Sequence, residues 1–283
     1  SVSNESSRAD VVCWRLLRAA YLQNAHLARS RDHDVRSSGV RATLRRALNQ
    51  ALKWVLVSHN VATLIDVPKA ERPKAEPFTP DEAYQFLRAI DGDRMEGLYH
   101  LVLATGLRQG EALGLQWDDV DLADGLVTVR HALQRRDGKL VLVKPKTKES
   151  LRSLPLPAPT LNKLRVHQRR QEQEREDAGD AWEEAGFVFT TPRGRPLDGR
   201  NVTRRFQRIL KHAGLRHQRF HDLRHACATF LLAEGVDLQV VKETLGHSQI
   251  SLTADTYAHV IPSLRRDAAD RMGRFLEREN PEN

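Results

Sequence analysis

Cysteine is scarce in this 283-residue chain, and its scarcity limits the kinds of stabilisation that the protein can use. Only Cys13 and Cys227 occur, far apart and in no CxxC pair. This spacing supports neither a disulfide framework nor a zinc ribbon. We therefore expect a reducing compartment inside the cell, and hence a cytoplasmic protein.

Long hydrophobic runs are absent as well. No apolar run approaches the ~18 residues that a transmembrane helix needs, and no charged and then apolar leader precedes the first predicted helix. We expect neither a membrane partner nor a secretion signal. The chain begins with Ser1 rather than Met, which leaves its natural start open.

Metal-binding motifs are missing in spite of twelve histidines. The sequence has no HExxH motif, no carboxylate cluster at ligand spacing and no Cys/His pair. We therefore predict no metal site.

Positive charge is what the sequence has in excess. Lys and Arg number 45 against 37 Asp and Glu, which gives a net charge of +8. Ten basic and two acidic residues fall between Arg193 and Arg224, so this stretch alone carries a net charge of +8. Its basic residues are Arg193, Arg195, Arg200, Arg204, Arg205, Arg208, Lys211, Arg216, Arg219 and Arg224. Such clustering favours a polyanionic partner and is typical of a surface that follows phosphates.

The first third of the chain predicts a small helical domain. Residues 11–28 have a helical pattern, residues 29–39 are polar and irregular, and an amphipathic helix follows. Its apolar positions are Leu44, Leu48, Ala51, Leu52, Val55 and Leu56, with Arg41, Arg45 and Arg46 on the polar side. The proline-bearing stretch Asn60–Pro77 reads as extended. The predicted boundaries are a helical domain at 1–66, a linker at 67–78 and a second domain at 79–283.

The second domain is predicted to be mainly α with a small antiparallel β-sheet, an α+β fold. Thr79 and Glu82 form a capping box around Pro80, which starts the first helix. Helical patterns cover residues 80–90, 94–105, 109–115, 159–177, 199–213, 221–234, 238–245 and 263–277. Short β segments are expected at 126–129, 140–143 and 152–156, with Asp137-Gly138 as the turn between the first two.

Two arginines lie at positions where the sequence predicts anion binding. Arg108 follows the helix-ending residue Gly106, so its guanidinium is expected at a helix start, where it can take two phosphate oxygens. A salt bridge to Glu111 is the plainer alternative. His221 and Arg224 are three residues apart on a predicted helix and project to one face. A basic helix that merely touches phosphate explains this pair equally well.

Three further residues complete a candidate site. Lys146 lies on a turn between β segments and can reach a leaving oxygen, although three lysines in five residues are more often an ordinary solvated turn. His247 follows Gly246, a helix-ending signal, and a protonated imidazole is favoured at a helix C-terminus, although a lone histidine in such a place is more often structural. Tyr257 has no apolar stripe around it, which makes it available as a nucleophile. Two arginines, a lysine and two histidines form a set of fixed cations that can stabilise a pentacoordinate phosphorane without a metal.

At these motifs the chain resembles the tyrosine recombinases, the phage integrase family. Thr105-Gly106-Leu107-Arg108-Gln109-Gly110-Glu111 resembles the first arginine box, and His221-Asp222-Leu223-Arg224-His225 the second. Leu245-Gly246-His247-Ser248, continuing to Asp255-Thr256-Tyr257, resembles the segment that carries the nucleophile. The motifs occur in order within residues 79–277, and residues 44–62 resemble the last helix of a core-site-binding domain.

The resemblance implies a mechanism and a set of partners. Arg108, Lys146, His221, Arg224 and His247 would surround a DNA phosphate that Tyr257 attacks, with Glu111 and His225 as support. No cofactor is implied, neither ATP nor a metal. DNA contacts are expected from Arg41, Arg45, Arg193, Arg204, Arg205 and Arg219. Double-stranded DNA attachment sites, a homotetramer on DNA with a monomer as the free form, accessory DNA-bending or excision factors and association with a bacterial nucleoid follow as expectations.

The implied function is site-specific recombination that integrates or excises a phage or mobile element. Two alternatives from other classes stay open. One is a catalytically silent or truncated integrase remnant that only binds DNA. The other is a DNA-relaxing topoisomerase that uses the same tyrosine chemistry.

Overall fold

The computed structural model describes residues 32–64, 76–144, 151–246, 269–270 and 272–274, with side chains from residue 40 onward. Contacts within the chain divide it into two compact units, Ser1–Lys74 and Ala75–Asn283.

The first unit is built on one long helix. Helix α1 spans Asp32–Lys53, and a short 3₁₀ helix follows at Val61–Thr63. Asn60 joins the two: its Oδ1 accepts from the Ala62 N–H at 3.0 Å, and its Nδ2 donates to Arg45 O at 3.0 Å and Asn49 Oδ1 at 2.7 Å. The chain therefore turns back and packs on α1.

Three predictions for this unit were wrong. Residues 29–39 are not irregular throughout, because α1 already begins at Asp32. Val55 and Leu56 do not belong to the helix: α1 ends at Lys53, and Val55 has a φ of 59° and is 88% exposed. The stretch from Asn60 does not begin as an extended segment, since Asn60 is buried and caps the 3₁₀ helix.

The second unit contains the remaining elements. Its helices are α2 (Pro80–Ala89), α3 (Glu96–Thr105), α4 (Gln109–Leu113), α5 (Ala158–Ala178), α6 (Gly199–His212), α7 (Asp222–Ala233) and α8 (Leu238–Leu245). Its strands are β1 (Val120–Asp121), β2 (Leu126–Val129), β3 (Ala132–Arg136), β4 (Lys139–Val143) and β5 (Arg152–Pro155). Residues 269–270 and 272–274 are also helical. The mainly α fold with small antiparallel sheets is confirmed.

The start of α2 confirms the predicted capping box. Thr79 Oγ1 accepts from the Glu82 N–H at 3.2 Å, and Glu82 Oε2 accepts from the Thr79 N–H at 2.8 Å. Two N–H groups at the helix start are thereby satisfied within one turn. Pro80 occupies the first helical turn, where its missing N–H costs nothing.

Two antiparallel sheets form instead of the single sheet expected. The first has the order β1-β2-β5, with Val127 opposite Leu154 and Val129 opposite Arg152; the second pairs β3 with β4. Asp137-Gly138 does make a tight turn, with φ values of 47° and 80°. That turn joins β3 to β4, however, so the expected pairing of 126–129 with 140–143 was wrong.

Helix α3 lies at the centre of the core. Its sequence is apolar on most sides, and Leu98, Tyr99 and Leu101 are fully buried, as such a helix requires. It packs against α5 and α7. Around it the rings of Phe78, Phe86, Tyr99, Phe206 and Phe220 lie in mutual contact, with centroid separations of 5.4–6.2 Å. In the part of the chain that the structure describes, no helix combines the length and apolar character needed to cross a bilayer.

Candidate active site

The loop between α3 and α4 forms one wall of the site. Gly106 ends α3 in the left-handed conformation, with a φ of 64°, and its N–H donates to Val102 O at 2.9 Å. Leu107 is buried, and Arg108 is the N-cap residue of α4. The prediction that Arg108 starts a new element is confirmed.

Glu111 holds Arg108 in place. Arg108 Nη1 donates to Glu111 Oε1 at 2.6 Å, and the Arg108 N–H donates to Glu111 Oε2 at 3.0 Å. The Arg108 side chain is 40% exposed and that of Glu111 only 6%. Burial alone would raise the pKa of Glu111, but the nearby Arg152 and Arg108 guanidiniums outweigh it and hold that pKa below its ordinary value. The carboxylate is therefore ionised at neutral pH and fixes one edge of Arg108.

Arg224 reaches the same loop from α7. It is 2% exposed, and its Nη1 donates to Gly106 O at 2.6 Å. Because Gly106 is two residues from Arg108, this bond brings both predicted arginines to one short segment. Charge interactions are stronger in such a buried position than at the surface.

Two histidines flank the start of α7. His221 is its N-cap residue, and the His221 and His225 rings lie edge to face with centroids 5.0 Å apart. Loss of hydration lowers the pKa of His221, and the charge of His225 when that ring is protonated, together with the Arg224 guanidinium, lowers it further. His221 nevertheless keeps an exposed surface, so solvent screening limits the size of that shift. Burial also lowers the pKa of His225. Both rings are thus favoured as neutral imidazoles, which can donate or accept a proton.

The end of α8 closes the site from a third side. Gly246 ends that helix with a φ of 65°, and its carbonyl accepts from Arg108 Nη2 at 3.0 Å. The Leu245 side chain packs against Gly106 in the loop between α3 and α4, since a Cβ added at Gly106 would lie 2.4 Å from Leu245 Cδ2. The chain therefore continues toward position 247 from a point in contact with Arg108.

Three predicted site residues, Lys146, His247 and Tyr257, lie outside the described residues. The structure thus brings together Arg108, Glu111, His221, Arg224 and His225. The roles of the other three stay predictions.

Sequence reasoning missed one residue of this cluster. Arg152, the first residue of β5, has a side chain that is 8% exposed and donates from Nη2 to Glu111 Oε2 at 3.0 Å. In the sequence it follows a run of lysines and reads as more surface charge. Its partners lie 41 and 92 residues away, so no local signal could have revealed them.

The six predicted DNA-binding arginines differ in their surroundings. Arg205 pairs with Asp93 at 2.7 Å and Arg219 with Asp222 at 2.8 Å, so local carboxylates balance their charge. Arg193 and Arg204 are exposed and have no acidic partner among the described residues. In the first unit, Arg41 donates from Nε to Ala62 O at 3.2 Å, and Arg45 is exposed.

Replacing Gly106 by alanine tests the contact between the first loop and α8. We expect a loss of about 2–4 kcal/mol in the free energy of unfolding, because left-handed strain adds to the clash with Leu245. Gly92→Ala is the matched control: its φ is +74°, but no heavy atom lies within 4 Å of the added Cβ. Urea denaturation measures both. Equal losses in the two variants would contradict a tight seat for Leu245.

Comparisons with known proteins point to one family. The model of the phage integrase family matches residues 76–263. A XerC-like tyrosine recombinase of Caldanaerobacter subterraneus is 38% identical over 69% of this chain and 53% of its own length. An integrase of Streptomyces ambofaciens is 34% identical over 89% of this chain and 64% of its own length. The chain thus spans only about half to two thirds of these relatives.

Solved structures share the fold. The Tn1549 transposon integrase, in complex with a circular intermediate DNA, superposes with a TM-score of 0.70 at 22% identity, over 86% of this chain and 84% of the other. A lambda integrase dimer bound to a COC′ core site gives a TM-score of 0.56 at 19% identity, over 84% and 77%. The extent of the family match, together with these relatives, establishes that the chain belongs to the phage integrase family.

Proposed function

We propose that this protein is a site-specific DNA recombinase that cleaves and rejoins DNA strands through a 3′-phosphotyrosyl intermediate. In the cell it integrates or excises a phage or mobile element. The observation that carries this proposal is the convergence of Arg108 and Arg224 on one loop, with His221 beside them and the end of α8 against Arg108. Family membership supplies the chemistry to which such a cluster is suited.

Each residue of the cluster has a place in the proposed reaction. The Tyr257 hydroxyl oxygen attacks the phosphorus, its proton passes to water, and the bond from phosphorus to the 5′ oxygen breaks. Arg108 and Arg224 stabilise the charge on the non-bridging oxygens, aided by His221 and His247. Lys146 gives a proton to the departing 5′ oxygen. Attack by a 5′-hydroxyl on the phosphotyrosine reverses these steps, so that energy is conserved without ATP or a metal.

Glu111 and His225 support this arrangement in the proposal. Glu111 is buried and holds Arg108 through two hydrogen bonds, so it acts on the guanidinium rather than on the DNA. His225 lies one turn after His221 and sets its ring surroundings. Neither residue needs to exchange a proton with the substrate.

The partners are part of the proposal. Double-stranded DNA attachment sites are bound by Arg193, Arg204, Arg205 and Arg219 on the catalytic domain and by Arg41 and Arg45 on the helical, partial core-binding domain. Exposed arginines that have no acidic partner in the described part of the chain, such as Arg193 and Arg204, are the best suited to phosphate. The proposal also includes a homotetramer on DNA, accessory DNA-bending or excision factors, and association with the bacterial nucleoid.

Trapping of the covalent intermediate tests the function. The protein is incubated with nicked duplexes tiled across the genomic DNA that flanks its gene, so that cleavage releases a short strand and cannot be reversed. We expect a protein–DNA band that survives denaturing electrophoresis, with DNA attached to the peptide that contains Tyr257. The yield should be the same in EDTA.

Other outcomes identify the alternatives. DNA retention in a gel shift without any covalent band would leave a DNA-binding role alone. Cleavage that is lost on chelation and restored by a divalent ion would indicate a metal-dependent nuclease. Relaxation of a supercoiled circle without strand exchange between duplexes would favour a topoisomerase.

A further inference from the structure

Arg152 is a charged side chain in an unusual position. It begins β5, opposite Val129 of β2, and its side chain is only 8% exposed. Burying a guanidinium costs free energy unless it is paired and hydrogen-bonded. Its partners therefore indicate what the residue is there to hold.

One partner is the end of α8. Arg152 Nε donates to Thr244 O at 2.9 Å, one of the carbonyls that a helix C-terminus leaves without an internal partner. The guanidinium charge also lies at the negative end of the helix dipole, where a cation is favourable. Gly246 packs directly on the guanidinium, since a Cβ added there would lie 3.1 Å from Arg152 Cζ.

The other partner is the carboxylate that holds Arg108. Glu111 Oε2 accepts from Arg152 Nη2 at 3.0 Å, while Oε1 accepts from Arg108 Nη1 at 2.6 Å. Arg108 in turn donates to Gly246 O. The two arginines thus grip the same carboxylate and the same helix end, which closes a ring of contacts through β5, α4 and α8.

We propose that Arg152 is a positioning residue for strand cleavage, which fixes Arg108 through Glu111 and fixes the end of α8 from which the chain continues to position 247. This inference rests on the function proposed above. Arg152 acts through other residues: it is far less exposed than Arg108, at 8% against 40%, and it spends Nε and Nη2 on protein acceptors.

Arg152→Lys is the sharpest variant, with Arg130→Lys as its control. Lysine keeps the charge but donates from one point, so it cannot bridge Thr244 O and Glu111 together. Arg130 offers the same chemistry outside the ring: its Nη1 contacts Asp119 Oδ1 at 2.9 Å and Asp118 O at 3.0 Å, and its side chain is 49% exposed. Arg152→Met removes the charge as well.

The first arm measures single-turnover cleavage at saturating protein, beside DNA affinity by gel shift. We expect Arg152→Lys to cleave about 10- to 100-fold more slowly, because small errors of placement at a reacting centre cost that much, while affinity stays within a few-fold. As the pH is lowered, the cleavage rate of Arg152→Met should also begin to fall at a higher pH than that of the parent. Among the described residues, Glu111 then keeps only Arg108 as a cationic partner, so the pKa of Glu111 rises and its carboxylate is protonated at a higher pH. Arg130→Lys should leave rate, affinity and pH profile unchanged.

The second arm is independent of activity. Amide hydrogen exchange in residues 238–246 should accelerate in Arg152→Lys and stay unchanged in Arg130→Lys, because only the former loosens the end of α8. Unchanged exchange, or a cleavage rate equal to that of the parent, overturns the proposal. So does a loss of rate matched by an equal loss of DNA affinity.

The two arms distinguish a failure of this inference from a failure of the proposed function. If the parent protein gives no covalent product on any duplex, the proposed function fails. The exchange arm then still decides whether Arg152 anchors α8, with accelerated exchange in favour and unchanged exchange against.

Discussion

Replacing Tyr257 by phenylalanine is expected to abolish the covalent protein–DNA product while DNA retention in a gel shift stays nearly unchanged. The substitution removes only the hydroxyl oxygen that is proposed to attack phosphorus. A tyrosine hydroxyl has a pKa of about 10, so it reacts at neutral pH only where a base or a stabilised phosphorane assists it. In the proposed reaction, Arg108 and Arg224, which meet at the loop of Gly106, supply that stabilisation. Denaturing electrophoresis on the nicked duplex measures the product.

The other tyrosines provide the controls. The chain has only four: Tyr21, Tyr84, Tyr99 and Tyr257. Tyr99 is fully buried beside α6, and burial raises the pKa of its hydroxyl, so it is a poor nucleophile. Tyr84 is 65% exposed on α2. Tyr84→Phe and Tyr21→Phe should trap DNA like the parent. Covalent product that persists in Tyr257→Phe but disappears in one of these variants would reassign the nucleophile.

Local signals in the sequence predicted most of the second unit. The capping box at Thr79, the helix-ending glycines Gly106 and Gly246 and the tight turn at Asp137-Gly138 all act within a few residues, and each has the predicted conformation. Positions fixed by such short-range chemistry can be inferred from one sequence. For the same reason, the residues next to Arg108 are enough to place it at a helix start.

Pairings between distant segments could not be predicted. The turn at Asp137-Gly138 was assigned to the wrong strand, because β3 is polar beyond Leu133 and lacks the alternation that marks a strand.

The start of helix α1 was missed for another reason. The helix includes residues such as Ser37, Ser38 and Gly39, which are weak helix formers by themselves. Once the following turns have formed, adding residues to the helix costs little, so it extends back to Asp32.

The candidate site shows the same division. Residue types and spacing pointed to Arg108, His221 and Arg224, and the structure brings these to one place through the bond from Arg224 to Gly106 O. Arg152 escaped notice because its role depends on Glu111 and Thr244, which only the tertiary fold brings to it. Catalytic side chains belong to recognisable motifs, whereas the residues that position them need not.

Arg224→Lys is expected to slow single-turnover cleavage on the order of 100- to 1,000-fold, the usual cost of losing one preorganised donor at a developing oxyanion. Arg224 is 2% exposed and already bound to Gly106 O through Nη1, so its guanidinium is held rigidly beside Arg108. Lysine is a point charge and cannot contact Gly106 O and two phosphate oxygens at once. DNA affinity should change only a few-fold, because many other basic residues contribute to it.

Arg216→Lys separates this catalytic effect from a loss of stability. Arg216 belongs to the same basic stretch, and its guanidinium binds Glu82 at 2.6 and 2.8 Å and Pro77 O at 2.6 Å. Lysine cannot keep these contacts either, so the variant should melt earlier than the parent and yet cleave at the parental rate when DNA is saturated. If Arg224→Lys behaves in that way instead, with a lower melting temperature and an unchanged rate, Arg224 holds the loop of Gly106 and does not stabilise the phosphorane.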